Sequence, residues 1–273
     1  MSIAADHASA PPAPSALRLT ALRRVVMPLA GIGIIVGLWW LGGLIIQSTP
    51  RLSAFHGFTA GTTLTALWQM IVSGQAAAAA GPSLSRVLQG LFWAFVIGTP
   101  VGLAIGRWRL LEELLQFPFQ FLRMISPLAW MPIAILMFAT WNGAIVFLIA
   151  VASVWPIIFS TAAGVKRIDP VWLAMASNLG GKPLAILHRV IFPAVARDIF
   201  GGLRLALGVA WIVLVPAEFL GITSGLGYAI NDARDTLSYD RLGAVVILIG
   251  VIGFLLDAAL ALLIRRAHWT PTA

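Results

Sequence analysis

Six apolar stretches, each long enough to cross a bilayer, decide most of what this 273-residue chain can fold into. They cover residues 25–46, 84–105, 114–139, 144–165, 199–220 and 242–264. A helix rising ~1.5 Å per residue needs roughly 20 apolar residues to span the hydrocarbon. In lipid every backbone N–H and C=O must be satisfied within the protein, which leaves helices or closed barrels. The stretches lack the alternation of barrel strands. The chain therefore reads as an all-α membrane protein with six transmembrane helices. Composition agrees, with 60% apolar and only 10% charged residues, where a soluble domain carries about 25% charged.

The net charge of +8 is a topology signal here and no sign of nucleic acid. With a cytosolic N-terminus, the inner segments hold Arg18, Arg23, Arg24, Arg107, Arg109, Lys166, Arg167, Lys182, Arg189, Arg197, Arg265 and Arg266. The outer segments hold Arg51, Arg86, Arg234 and Arg241. Twelve against four is a positive-inside bias, so both termini are expected in the cytosol. Cysteine is absent, which removes disulfides and thiolate metal sites. The histidines His7, His56, His188 and His268 show no ligand spacing, so no metal centre is expected.

The expected divisions are a disordered N-terminal tail over 1–24, a first helix and outer loop over 25–83, a transmembrane core over 84–264 and a C-terminal tail over 265–273. Within the outer loop, residues 62–72 place Leu64, Leu67, Trp68 and Ile71 at helical spacing, as in a helix lying along the interface. Pro100, Pro118, Pro127, Pro132, Pro156 and Pro216 fall in or near spans. Each removes a helical hydrogen bond, which fits either ordinary bundle packing or helices that flex around a path. Gly201, Gly202 and Gly208 permit a close helix approach.

The loop before the fifth span has a structure of its own. Asp169 is a good N-cap, followed by Pro170 at the first helical position. Val171, Met175 and Leu179 form an apolar stripe, and Gly180 and Gly181 end the helix. Pro183 starts a second short helix with Leu184, Leu187 and Ile191 on one face, interrupted by Pro193. Residues 169–193 therefore read as a cytosolic helical hairpin, either packed on its own bundle or docked on a partner.

This loop resembles the cytosolic loop of permease subunits from bacterial ATP-binding-cassette importers. Ala176, Gly180 and the Ile191-Phe192-Pro193 ending fit that pattern, while its usual Glu-Ala-Ala triplet reads Ala174-Met175-Ala176 and lacks the Glu. SLSRVLQG (83–90), SPLAWMPIAILMF (126–138), VWPIIFSTAAGV (154–165), GLRLALGVAWIVLVPAEFL (202–220), SGLGYAI (224–230) and GFLLD (253–257) with Arg265, Arg266 and Trp269 are similar to the nitrate/sulfonate/taurine/bicarbonate branch. The resemblance implies a type I importer permease fold in the inner membrane, with the hairpin as a coupling helix on an ATPase subunit. Asp169, Val171, Trp172, Met175, Ala176, Leu179, Gly180 and Pro193 are then the coupling residues. It further implies a permease homodimer, a periplasmic or lipid-anchored binding protein and a small anionic substrate, with ATP and magnesium on the partner and no cofactor in this chain.

Arg123, Arg204, Glu218 and Asp257 fall within spans. A charge at mid-bilayer costs at least ~2.5–3.5 kcal/mol, so each needs a partner or water. Depth matches Arg123 with Asp257, with Arg204 as the rival partner. Glu218, near the outer end of its span, is either a gate residue, a contact for a binding protein or a snorkelling interfacial carboxylate. Ser126, Trp130, Ser153 and Trp211 are candidate path-lining residues. No GxxxxGK[ST] loop, HExxH motif or nucleophile elbow occurs. The alternatives are an ATPase-independent channel or secondary transporter, or a membrane-embedded enzyme.

Overall fold

The computed structural model describes residues 14–266, and side chains from residue 26 onward. Among the described residues there is no strand. The expected tail over 1–24 lies partly outside the described residues, but its last part is helical, because α1 runs Pro14–Ser48. A short 3-10 segment (Pro50–Phe58) and α2 (Ala60–Val72) follow. α2 covers the whole of the segment expected to be helical, 62–72, and buries Thr63, Ala66 and Met70 while exposing Leu64, Trp68 and Ile71.

The core is a packed triple of α3 (Gln75–Arg107), α6 (Trp141–Lys166) and α9 (Phe192–Phe219). Small residues set the spacing. A Cβ on Gly98 would stand 3.1 Å from the Ile157 side chain, and one on Gly102 would stand 2.7 Å from Ile158 O and Thr161 Cβ. Gly106 meets Val165 in the same way, one turn further on. Small residues four apart let the backbones of membrane helices come together, which replaces the hydrophobic drive that lipid cannot supply. Val87, Ala94, Ile145, Leu148, Ile149, Ile157, Ala206, Ala210 and Leu214 fill the contact.

The third expected span, 114–139, is not one helix. α4 (Arg109–Met124) and the segment Pro127–Met137, a 3-10 turn followed by α5 (Met131–Met137), meet at 90°. Ile125 and Ser126 leave the helical conformation, with ψ 125° and 130°, and a residue just before a proline prefers such an open backbone. Among the described residues, five helices are long and apolar enough to cross a membrane, or six if the bent pair is one span.

The remaining elements are α7 (Pro170–Asn178), α8 (Pro183–Ile186), a π-helical turn (Leu187–Ile191), α10 (Leu226–Asp235) and α11 (Tyr239–Arg266). Pro193 does not interrupt the helix as expected. The wide turn carries Phe192 N–H to Leu187 O, five residues back, and takes up the hydrogen bond and carbonyl clash that a proline forces on an α-helix. Pro183–Phe219 is thus one continuous rod of 37 residues, about 55 Å long. That exceeds a ~30 Å hydrocarbon core, so one end of the rod projects beyond the lipid.

Lys166 pairs with Glu112 and Arg167 with Asp198, which ties the end of α6 to α4 and α9. Near the start of α11 (Tyr239–Arg266), Phe55 and Phe58 pack against Tyr239 with centroids 5.4 and 5.1 Å apart. Trp39 Nε1 donates to Phe58 O at 2.9 Å. α1 touches the rest of the chain through its C-terminal end, and the rest of its described surface is apolar and exposed.

Candidate functional site: a docking hairpin and two intramembrane ion pairs

The hairpin forms for local reasons. Asp169 Oδ1 accepts from Val171 N at 2.9 Å and caps α7. The far end closes with Gly181 N to Ala176 O and Gly180 N to Ser177 O, both 3.0 Å, the paired bonds of a Schellman motif. Gly180 has φ +78°, and a Cβ on Gly181 would stand 2.6 Å from Ala176 O. Both positions therefore demand glycine, the first for its dihedral and the second for space.

One face of the hairpin is anchored. Leu173, Ile186 and Leu187 pack with Val165 of α6 and with Ile191, Val195 and Ile199 at the base of α9. The other face is bare: Val171, Trp172, Met175, Leu179 and Leu184 are each more than half exposed. Ala176 lies half-buried beneath them. The hairpin is thus an exposed apolar knob fixed to the end of the long rod that includes α9.

Glu218 is neither snorkelling nor placed to touch a binding protein, because it is fully buried. Its partner is Arg86, 3% exposed, whose Nη1 reaches Glu218 Oε1 at 2.5 Å. Ser83 Oγ lies 2.9 and 2.8 Å from the two carboxylate oxygens, Gly227 N donates to Oε2 at 3.0 Å, and Leu226 N donates to Ser83 Oγ at 2.8 Å. Arg86 also donates to Asn142 Oδ1 at 2.8 Å, to Ser224 O at 3.0 Å and to Ser224 Oγ at 2.8 Å. The cluster joins α3, α6, α9 and the start of α10 into one clasp. Gly225 has φ +112°, and a Cβ there would clash with Glu218 Oε2, so the position demands glycine. Arg86 is therefore no outer-segment charge, as expected from the sequence, but lies inside α3. The signal was present in the sequence, as opposite charges near the same end of two antiparallel spans.

The second pair corrects the expected one. Asp257 binds Arg204, with Nε to Oδ1 at 2.7 Å and Nη2 to Oδ2 at 2.6 Å. Arg123 instead sits 5.1 Å above the Phe159 ring. Unlike the clasp, the Arg204 and Asp257 side chains are 50% and 48% exposed.

Of the other candidates, Ser153 is fully buried with its hydroxyl 3.3 Å from Ala206 O. Trp130 and Trp211 are half-buried against the core, and Ser126 is exposed at the break before α5. Trp269 lies outside the described residues. No group of three or more metal-ligating side chains is present among the described residues.

Across the described residues these features define a helical membrane protein with several spans and an exposed apolar knob at the end of one rod. Residues 98–269 match the family described as the binding-protein-dependent transport system inner membrane component, and the chain belongs to that family. It is 41% identical over 185 residues to the bicarbonate transport system permease protein of Synechococcus elongatus, covering 67% of this chain and 66% of that relative. It is 30% identical over 258 residues to the taurine transport system permease protein of Escherichia coli, covering 89% of each. The nitrate import permease protein of Leptolyngbya laminosa is 35% identical over 184 residues, 67% of this chain and 66% of that one. The match thus spans about two thirds of the bicarbonate and nitrate relatives and nearly all of the taurine one.

Proposed function

We propose that this chain is the permease subunit of an ATP-driven importer for a small anion of the bicarbonate, nitrate or sulfonate kind. Membership of a binding-protein-dependent transport family and relatives named for those substrates support this reading. The observation that carries it is the bare apolar face of the α7–α8 hairpin. An anchor in lipid has no use for a capped, glycine-closed knob outside the bilayer, whereas a nucleotide-driven partner needs one.

Val171, Trp172, Met175 and Leu179 would enter a groove on an ATPase subunit. Asp169, Ala176, Gly180 and Pro193 would hold them in place through the cap, the packing, the Schellman turn and the wide turn. Movement of the knob then tilts α9, because the two are joined through one rod. ATP on the partner supplies the differential binding that such a two-state change requires. Six spans enclose a path poorly, so the unit would be a homodimer with the path on its twofold axis. A secreted binding protein would deliver substrate to the outer face.

The test is co-purification of the chain with its ATPase and binding protein, followed by uptake into liposomes of labelled bicarbonate, nitrate and taurine. ATP-dependent uptake of one of them is expected. Equal uptake by the chain in liposomes lacking any ATPase would overturn the reading in favour of a channel or secondary transporter.

A further inference from the structure

We propose that Arg204 is an anion-contacting residue of a water-filled path along one face of α9, with Asp257 as its resident counter-carboxylate. This deepens the permease reading and rests on it.

Arg204 lies twelve residues after Phe192 in α9 and Asp257 nine residues before Arg266 in α11, about 18 Å and 14 Å from those helix ends. Both fall inside the apolar stretches 199–220 and 242–264, five and seven residues from the nearer end of each. A charge there needs protein or water around it, yet each side chain is half exposed. Lipid does not account for that surface. The exposed face of α9 around the guanidinium consists of Gly201, Leu205, Gly208 and Ile212. That face itself carries no polar group beside the ion pair.

What the face does offer is room. Nothing lies within 4 Å of a Cβ placed on Gly201 or Gly208, which flank Arg204 one turn below and one turn above. Asp257 occupies Nε and Nη2, leaving the N–H groups of Nη1 without a partner among the described residues. A planar guanidinium with a free edge suits bicarbonate, nitrate or a sulfonate. The bound Asp257 also has a use. It keeps the empty path neutral and competes with the arriving anion, which makes the site weak enough to release what it takes, as conduction demands.

The chain has no cysteine, so the face can be probed directly. Gly201→Cys and Gly208→Cys, in membranes holding the assembled complex, should react with a sulfonate-bearing methanethiosulfonate much faster than Ile34→Cys on the apolar surface of α1. Arg204→Gln should lower ATP-driven uptake by about tenfold or more, the loss expected for one charge-assisted hydrogen bond, while ATP hydrolysis is retained. The exchange Arg204→Asp with Asp257→Arg should restore complex yield and thermal stability but not uptake. If the exchange restores uptake, or if neither glycine replacement on α9 reacts faster than the α1 control, Arg204 is a structural partner only and the proposal fails. Absence of ATP-driven uptake in the unmodified complex would sink the importer reading instead, and the labelling still decides whether the face is wet.

Discussion

Glu218 and Asp257 are both intramembrane carboxylates paired with arginine, and their surroundings give them different physics. Glu218 has no contact with solvent, and both its oxygens meet donors. Removing one member of such a pair strands the other, at a cost of about 3–5 kcal/mol. Glu218→Gln and Arg86→Met should each lower the thermal midpoint of the detergent-solubilised protein markedly. The double variant Arg86→Met/Glu218→Met should lose less than the sum of the two, because the groups act as a unit. Additive losses would show that the clasp contributes nothing as a pair. Counting along the sequence places Arg123, Arg204, Glu218 and Asp257 in spans but does not rank their partners. Depth along a helix is countable from the sequence, whereas the facing of Arg204 rather than Arg123 toward α11 depends on how the helices are rotated in the bundle.

At the scale of elements, legibility followed the range of the forces involved. The hairpin was readable almost residue by residue, because an Asp cap, a proline at the first position and a paired glycine stop act within a few residues. The wide turn before Pro193 was not, since a helix can break at a proline or absorb it, and packing of Ile191 and Val195 against Val165 favours absorption. The break at Ile125–Ser126 was hidden by an apolar run of span length, in which Pro127 and Pro132 looked like kinks. The hairpin also carries a test of its own. Met175→Glu puts a charge in the middle of the bare stripe and touches none of the caps. It should leave the chain folded and membrane-inserted. Loss of one buried methionine's worth of apolar contact should cut the co-purifying ATPase by about tenfold. Unchanged retention of the ATPase would mean that the stripe docks on something else.

For the whole molecule, orientation in the membrane decides which face the knob serves. Moving Arg86 out of the outer loops and into the clasp sharpens the charge asymmetry, from twelve against four to twelve against three. Basic residues in the loops between spans set topology, and Arg51, Arg234 and Arg241 are the ones left outside. With the N-terminus inside, as that asymmetry favours, the helix order would put α2, α10 and the Arg86–Glu218 clasp on the outer side and the α7–α8 hairpin inside. Ser177 in the hairpin and Thr236 after α10 are both exposed and sit on opposite sides in this arrangement. In a cysteine-free background, Thr236→Cys should react with a membrane-impermeant maleimide on intact spheroplasts, and Ser177→Cys only after the membrane is opened. The reverse pattern would put the apolar knob outside, where no nucleotide is available to drive it, and the coupling role of the hairpin would have to be abandoned.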